Sequence, residues 1–412
     1  MASIPSIMRY DVARAREILS EANTVTLVYH DDADGVCSAA LAVLGLDKLK
    51  VNVKRKVCLE KLFPQAIEAI HSKQKENDII MYVDLGSPHT GKIAEKIRGE
   101  KVIIIDHHDP QKVVHKNIVH INPELYGLTG ERDASASTMV YLFFRLISPE
   151  IQSYSFLAII GSAEIPGPLI SLNSIPLTDA MNVGKVRVLR SKKTVKYYVD
   201  FYGLRKPHTA LSSMLSTMAS IGYYNGGPEK ALKSCVEGFS EDTMKFYNEM
   251  KALKNELFKK AYDRIYAYGL NKGKYVQWFN IGNLFYNIGV KSLGLFTSQL
   301  KYRRIVVQEK YLLGFMNMNP NIPGLGKLKE NLVKVSGRTP PMLEEKIKAK
   351  TMPGLGSIMV EAAEEVGGFA DGHDFAASGV IDSDKILAFI EEFEEKVEEK
   401  VKGKGLLKYF TK

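Results

Sequence analysis

Three short apolar runs in the first 110 residues each end in acidic or imidazole side chains. Runs that are apolar throughout indicate parallel strands buried on both faces of a sheet. Ligands bind at the carboxyl edge of such sheets, so these side chains are expected to lie close together there. Carboxylates and imidazoles gathered in this way can bind two divalent cations. Such a pair of cations is typical of phosphoester hydrolysis. They are His30, Asp32 and Asp34 after residues 25–29, Asp84 after residues 79–83, and Asp106, His107 and His108 after residues 102–105.

Each motif taken alone has a simpler explanation. A single Asp after a strand, such as Asp84, is commonly a helix N-cap or a turn residue. The sequence Asp106-His107-His108 alone could be a polar loop. Three successive apolar runs that all end in acidic or imidazole side chains favour a metal site over these explanations.

The length and composition of the chain restrict the classes of protein to which it can belong. A chain of 412 residues predicts two or three domains. No run approaches 18 apolar residues, which argues against a membrane span, and the first residues lack the apolar core of a signal peptide. Cys37, Cys58 and Cys235 fit neither a zinc pattern nor a disulfide framework, so we expect reduced thiols in a cytoplasmic protein.

The net charge of +9 is moderate, but two clusters of basic residues contain or precede aromatic residues. Cations beside aromatic rings suit a single-stranded nucleic acid, whose phosphates need charge and whose bases can stack. A solvated basic face remains the alternative for each cluster. The first cluster is Lys185, Arg187, Arg190, Lys192, Lys193 and Lys196 before Tyr197 and Tyr198, and the second is Lys301, Arg303 and Arg304 around Tyr302.

Strand and helix patterns alternate from a helix at 11–22 to about residue 165, and include an apolar run at 157–160 that resembles a strand. Residues 207–265 look helical, with Ser240 as an N-cap and Gly269 as a stop. A second α/β region follows. Its predicted strands are 275–279, 305–308, 311–318 and 333–335, and its predicted helices are 287–300 and 386–401.

A glycine-rich segment near the end surrounds His373. Gly367, Gly368 and Gly372 would let backbone amides approach an anion, and the small residues 376–379 would let a helix begin against it. His373 and Arg338 could then bind a phosphate. A glycine-rich packing turn is the alternative.

Together these motifs resemble the DHH phosphoesterase superfamily. The matching blocks are HxDxDG at 30–35, DLG at 84–86, DHH at 106–108 and GGxxxGHxxAAS at 367–378. The resemblance spans residues 24–382, and its order and spacing are most similar to archaeal RecJ-like proteins, which include a nuclease associated with the GINS replication complex.

The resemblance implies an α/β fold with the active site in the cleft between two domains. The expected parts are a doubly wound parallel-sheet DHH domain at 1–190, a long helical connector at 191–269, a smaller α/β DHH-associated substrate-binding domain at 270–400, and a tail at 401–412.

The resemblance also implies a role for each motif residue. His30 and Asp32 would bind a first Mn²⁺, Asp34 and His107 a second, and Asp84 would bridge them, with Mg²⁺ as an alternative to Mn²⁺. Asp106 would support the metal shell and His108 would face the scissile phosphate. The residues implied to hold a substrate phosphate are Arg338, Gly372, His373 and Ser378.

One position departs from the family pattern. The fourth family motif usually supplies an Asp after another apolar strand, whereas here the run 157–160 leads to Glu164. Glu164 could ligate the second metal only after local adjustment, because its side chain is one methylene longer. Asp179 is a less favoured substitute.

The last residues resemble a sliding-clamp peptide. Leu406, Tyr409 and Phe410 have the required spacing, although Gly403 stands where such peptides usually carry glutamine. A short helical turn would place the three side chains on one side. The alternative is a tail whose aromatic residues fold back on their own domain.

The leading hypothesis is a metal-dependent exonuclease that cleaves single-stranded DNA or RNA in replication or repair, with a water activated by two metals. A second hypothesis is a replisome scaffold that binds GINS or the sliding clamp with weak or no catalysis, as the Glu164 departure and the tail suggest. A third is a phosphodiesterase of short oligonucleotides or cyclic dinucleotides, which would share the chemistry.

Overall fold

Five parallel strands form the centre of the N-terminal part of the chain, in the order β2-β1-β3-β4-β5. Every residue of β3 is buried, as are four of the five in β4. Since successive side chains point to opposite faces, the sheet is covered on both sides, as predicted. The strands are β1 (Thr24–His30), β2 (Asn52–Leu59), β3 (Asp78–Val83), β4 (Lys101–Ile105) and β5 (Ile118–Ile121).

This strand order reverses direction between β1 and β3, which creates the topological switch point of a doubly wound sheet. Seven helices connect or flank the strands, and α2, α5 and α6 pack against one another. The helices are α1 (Ser6–Ser20), α2 (Ala33–Lys48), α3 (Pro64–His71), α4 (Thr90–Lys96), α5 (Ala136–Ile147), α6 (Ser155–Gly161) and α7 (Ser174–Asn182).

A small antiparallel sheet follows, which the sequence analysis did not predict. It consists of β6 (Val186–Arg190), β7 (Val195–Phe201) and β8 (Leu204–Pro207), and it is succeeded by α8 (His208–Ser216), α9 (Gly227–Glu237) and α10 (Glu241–Tyr268). The Oγ of Ser240 accepts a hydrogen bond from the Thr243 amide at 3.2 Å, and Gly269 adopts φ +77°. The predicted start and stop of the long helix are therefore confirmed.

The C-terminal part contains a six-stranded sheet in the order β15-β16-β14-β11-β10-β9. One face packs on α12, α13 and α14, with Val333, Val335 and Phe315 in the core. The strands are β9 (Asn271–Lys272), β10 (Val276–Asn280), β11 (Tyr311–Asn317), β14 (Leu332–Arg338), β15 (Phe369–Gly372) and β16 (Ala376–Asp382), with β12 (Asn321–Ile322) and β13 (Gly326–Lys327) pairing separately. The helices are α11 (Lys291–Leu300), α12 (Pro341–Lys348), α13 (Leu355–Glu365) and α14 (Ile386–Phe410).

Three local predictions are wrong. Residues 157–160 lie in α6 rather than in a strand, because a short buried apolar run has no periodicity that separates the two. Residues 305–308 form turns, although Val306 is buried. Residues 376–379 begin strand β16 and not a helix, so the glycine-rich segment is a β-hairpin.

The computed structural model describes residues 3–22, 24–74, 78–191, 194–328 and 331–410, with side chains described through residue 402. It divides into one unit of residues 1–250 and 322–328 and another of residues 251–321 and 329–412. The division falls within α10. Within the described ranges, no helix has both the length and the apolar character needed to cross a membrane.

Candidate metal centre

His30 and Asp32 are positioned by the junction of β1 with α2. Asp32 is the N-cap of α2, where its Oδ1 accepts a hydrogen bond from the Gly35 amide at 3.0 Å. Its other oxygen lies 2.9 Å from Nδ1 of His30. A Cβ at Gly35 would clash with the His30 carbonyl, so the glycine in this motif permits the tight turn. The two proposed ligands thus lie in the same tight turn between β1 and α2.

Asp84 follows β3, the neighbour of β1, and its amide continues the sheet by donating to the Ile105 carbonyl at 3.0 Å. The residue adopts φ +59°, a left-handed conformation that is costly for a residue with a Cβ and concentrates at functional sites. Its side chain is buried, with Oδ2 3.5 Å from Nδ1 of His30 and Oδ1 3.6 Å from Nε2 of His107. Asp84 therefore lies between two histidines from different strands.

Burial and the nearby carboxylates of Asp32 and Asp34 raise the pKa of Asp84 to about 7. The negative charge of an ionised Asp84 is therefore poorly balanced by the described residues around it. A divalent cation would supply the missing positive charge.

Asp106 organises the loop after β4. Its carboxylate accepts hydrogen bonds from the amides of Ser87 and His107 and, at 2.7 Å, from Nδ1 of His108. Burial alone would raise the pKa of Asp106, but the charge and hydrogen bond of His108 hold it well below its ordinary value. Burial likewise opposes protonation of His108, but Asp106 outweighs it and raises the pKa of His108 to about 9. The pair is an ionic hydrogen bond.

His107 is oriented by a backbone carbonyl. Its Nδ1 lies 3.0 Å from the carbonyl of Gly130, which fixes the proton on that nitrogen and leaves Nε2 as the lone-pair donor. A Cβ at Gly130 would collide with the His107 carbonyl. The sequence analysis did not identify Gly130, because a backbone acceptor leaves no signature in side-chain chemistry.

Asp34 is held by the N-terminus of α5. Its oxygens accept from the amides of Ala136 and Ser137 at 2.9 and 2.8 Å, where the helix end favours a negative charge. Its Oδ2 lies 3.9 Å from Nε2 of His107. A carboxylate oxygen that accepts one such hydrogen bond keeps a second lone pair for a cation.

Two groups of possible ligand atoms result, and both contain Asp84. Among the described residues, one group is Asp84, His107 and His108 and the other is His30, Asp32 and Asp84, whereas Asp34 belongs to neither and lies 3.9 Å from His107. In each group the atoms lie within 4.8 Å of one another. The buried Oδ1 of Asp84 and both oxygens of the fully buried Asp31 have no hydrogen-bond partner among the described residues. Orphaned buried carboxylate oxygens beside imidazoles fit divalent cations.

Asp31 is a second residue that the sequence analysis missed. Its Oδ1 lies 3.4 Å from Nε2 of His30, on the side of the ring away from Asp32 and Asp84. Its place inside the HDDADG block was the available signal.

Glu164 is not brought together with these residues. It ends a short 3-10 turn after α6, it is exposed, and neither group of ligand atoms found in the described part of the chain includes it. Asp179 instead accepts hydrogen bonds from Tyr141 and Arg145, both at 2.6 Å, as a structural ion pair.

The implied phosphate-binding residues lie on the C-terminal sheet. Arg338 ends β14, where its guanidinium donates to Ser298 Oγ and to the Gly337 carbonyl, both at 2.7 Å, and burial lowers its pKa to about 10. Ser378 pairs with Ser336 on the neighbouring strand, so its side chain shares the face of Arg338. His373 is exposed in the turn of the β15–β16 hairpin, directly after Gly372 with φ +150°.

Lys334 was not predicted and lies on the same face. It is buried, and its Nζ donates to Ser378 Oγ at 3.1 Å. The alternation of Lys334 with the core residues Val333 and Val335 was the signal that could have revealed it.

The two basic clusters have different settings. Arg187 and Lys196 lie on the antiparallel β6–β7 pair, whereas Lys192 and Lys193 lie outside the described residues. Arg303 lies after α11 with its guanidinium carbon 5.1 Å from the centre of the Tyr262 ring. The side chains of Leu406, Tyr409 and Phe410 also lie outside the described residues.

Comparison with known proteins finds a family similarity over the part of the chain that contains these motifs. Residues 24–161 match the model of the DHH family, N-terminal domain. This part of the chain is therefore similar to the DHH family. All the metal-site candidates except Glu164 lie within the matched residues.

Similar proteins extend the likeness along the chain. An uncharacterized protein of Methanocaldococcus jannaschii is 26% identical over 211 residues, which cover 49% of this chain and 47% of that protein, so the match spans about half of the relative. RecJ from Thermus thermophilus in complex with Mn²⁺ has a TM-score of 0.63 at 16% identity and is matched over 97% of this chain and 56% of RecJ. CDC45 from Entamoeba histolytica has a TM-score of 0.60 at 9% identity, over 94% of this chain and 98% of CDC45. At these identities the likeness shows a RecJ-like fold.

Proposed function

We propose that this DHH protein is a metal-dependent exonuclease that hydrolyses phosphodiester bonds in single-stranded DNA or RNA. The observation that carries the proposal is the pair of ligand groups that share buried Asp84 at the switch point of the parallel sheet. Mn²⁺ is the proposed ion, since imidazole and carboxylate ligands suit it. The RecJ structure that shares this fold holds Mn²⁺, which is consistent with that choice.

The residues divide between holding cations and handling the substrate. His30, Asp32 and Asp84 would hold one cation, and Asp84, Asp34 and His107 the other. Bound there, the cations would supply a nucleophilic water near neutral pH and stabilise charge on the phosphate. Glu164 is proposed as a ligand only if the turn after α6 rearranges.

His108 is the proposed contact to the scissile phosphate. Because Asp106 raises its pKa to about 9, the ring is an imidazolium at neutral pH and can donate to a phosphate oxygen. Its side chain is 43% exposed, whereas that of Asp106 is fully buried, so the imidazolium is accessible while its counter-ion is not. On the C-terminal sheet, Arg338, Gly372, His373 and Ser378 are proposed to bind a second substrate phosphate.

The test is degradation of end-labelled single strands, DNA and RNA, with Mn²⁺, Mg²⁺ or chelator. We expect metal-dependent shortening that Asp84→Asn reduces by at least ~100-fold, the upper range for disturbing a metal shell. Asp47→Asn is the matched control, because Asp47 is exposed near the end of α2 and belongs to neither ligand group. Cleavage that persists in Asp84→Asn would contradict the proposal.

A replisome scaffold, binding GINS or the sliding clamp, is the second candidate. Two observations favour it: Glu164 lies outside both ligand groups, and CDC45 shares the fold over 94% of the chain. A folded wild-type protein that cleaves no strand in Mn²⁺ but captures either partner would support this function instead.

A further inference from the structure

Tyrosines and arginines on α10 and directly after α11 lie in the C-terminal unit, and none of them belongs to the proposed metal-binding or phosphate-binding residues. The tyrosine–arginine surface is defined here by Tyr262, Tyr266, Tyr302, Arg303 and Arg304. Tyr266 and Tyr302 are 56% and 67% exposed, which is unusual for large aromatic side chains in a folded chain. The sequence had indicated only the cluster around Tyr302.

The aromatic part of this surface is ordered by the core below it. Tyr262 and Tyr266 lie one turn apart on α10 and stack with ring centres 6.5 Å apart at 30°. The Tyr262 ring also contacts Phe296, which is fully buried, at 4.7 Å between centres. Little side-chain entropy would therefore be lost when a planar ligand stacks on Tyr266.

The basic part carries positive charge that the described residues do not fully neutralise. The guanidinium of Arg303 lies over Tyr262, and Lys301 lies 5.0 Å from the centre of the Tyr302 ring. Lys301 is paired with Glu344 at 2.7 Å, and Asp263 is paired with Lys259 at 3.6 Å. By contrast, neither Arg303 nor Arg304 forms an ion pair with any described residue. Among the described residues, Arg303 thus has no ionic partner where it lies over Tyr262, and exposed Arg304 is its neighbour in sequence, an arrangement that suits phosphates alternating with bases.

We propose that the tyrosine–arginine surface binds single-stranded nucleic acid without sequence preference, by stacking bases on Tyr266 and Tyr302 and by phosphate contacts from Arg303 and Arg304. The exposed large hydrophobic side chains of residues 262–268 and 301–304 are all tyrosines, and exposed Arg303 and Arg304 add the positive charge that a phosphate backbone requires. This inference rests on the proposed function in one respect, namely that the ligand is a single-stranded nucleic acid. It adds a second binding surface to the proposed nuclease site.

The test measures binding of a labelled 20-nucleotide oligothymidylate by fluorescence anisotropy in chelator, so that no cleavage occurs. Tyr266→Ala is expected to raise Kd roughly five- to a hundredfold, the range for one lost base stack. Tyr266→Phe keeps the ring and should bind like wild type. Arg303→Ala should reduce the slope of log Kd against log salt by about 0.7, the value for one phosphate contact on a single strand.

Tyr10→Ala is the matched control, because Tyr10 is 65% exposed on α1 and contacts no other ring among the described residues. The proposal would be overturned if Tyr266→Ala and Arg303→Ala both kept the Kd and the salt slope within twofold of the wild-type values. That result is also expected if the surface binds a protein instead of a nucleic acid. Failure of the two proposals is distinguishable. Binding through this surface without metal-dependent cleavage refutes only the nuclease, and cleavage with unchanged binding in the variants refutes only this surface.

Discussion

Asp106 has more hydrogen-bond donors than any other acid of the metal centre, and it contacts the histidines rather than belonging to either ligand group. Its position explains why the motif places an acid directly before two histidines. The carboxylate fixes the backbone of the loop through two amides and sets the charge of His108. A ligand shell needs such support, because rings that rotate freely bind cations poorly.

Asp106→Asn is expected to lower the pKa of His108 from about 9 towards its ordinary value of about 6.5. The neutral amide no longer stabilises the imidazolium, although the charge of Asp84 still favours it. The pKa is measured by NMR titration of the histidine ring in chelated protein. Asp109→Asn, which changes an exposed neighbour, should leave the pKa of His108 unchanged. An unchanged value in Asp106→Asn would show that another group holds the proton.

Binding of Mn²⁺ should weaken as the pH falls below 7. The pKa of Asp84 is raised to about 7, so a proton competes with the cation for this carboxylate. We expect Kd, measured by calorimetry, to rise about tenfold for each pH unit below 7. Equal affinity at pH 6 and pH 8 would contradict the raised pKa.

Without metal, the same group acts on stability in the opposite sense. The folded chain binds the Asp84 proton up to a higher pH than the unfolded chain, whose Asp titrates near 3.9. This contribution to the free energy of unfolding therefore falls as the pH rises from about 4 to 7. Asp84→Asn should remove that part of the pH dependence.

Most ligand-type residues of the centre were predictable from sequence, because acids and imidazoles at strand ends carry a chemical signature. The backbone groups that orient these residues were not predictable from sequence. Gly130 acts through its carbonyl, and Ala136 and Ser137 act through their amides, so no side-chain property marks them. The assignment of ions to individual ligands stays a prediction.

At the scale of elements, close approach between the Gly130 segment and the loop after β4 positions His107. Gly130→Ala would force a Cβ against the His107 carbonyl, and we expect weaker Mn²⁺ binding by about 10- to 100-fold, as for other outer-shell changes. Calorimetric titration with a folded-state check by circular dichroism measures this.

Gly91→Ala is the matched control for that substitution. Gly91 lies in α4, and an added Cβ would lie 3.1 Å from the end of the flexible Gln111 side chain and in ordinary contact with Val113 at 3.8 Å. Helix propensity favours alanine there, so stability should be equal or higher. Gly130→Ala with wild-type Mn²⁺ affinity would mean that the loop adjusts without moving His107.

Elements with a strong period or a capping residue were predicted correctly, as α10 shows with Ser240 and Gly269. The failures occurred where local signals are ambiguous. The run 157–160 is apolar enough for either a strand or a helix, and only packing of α6 against α2 and α5 decides. Residues 376–379 are small enough for a helix start, but pairing of β16 with β14 and β15 makes them a strand.

At the scale of the whole molecule, the strand order explains why distant motifs meet. His30 ends β1 and Asp84 follows β3, the two strands at which the order reverses, and the paired residues Tyr29 and Val83 place them at the same level. The order of strands could not be read from sequence, although the parallel sheet could. The likeness to RecJ and to CDC45 shows the fold, and a fold does not by itself determine a function.

The most direct test of the central claim is the number of Mn²⁺ ions bound per chain, measured by equilibrium dialysis and elemental analysis at pH 8. The shared position of Asp84 between two ligand groups predicts about two ions for the wild type, as in two-metal phosphoesterases. Asp84→Asn should lose both or retain one weakly, whereas Asp47→Asn should bind like the wild type. A wild-type chain that binds no more Mn²⁺ than Asp84→Asn would contradict the account.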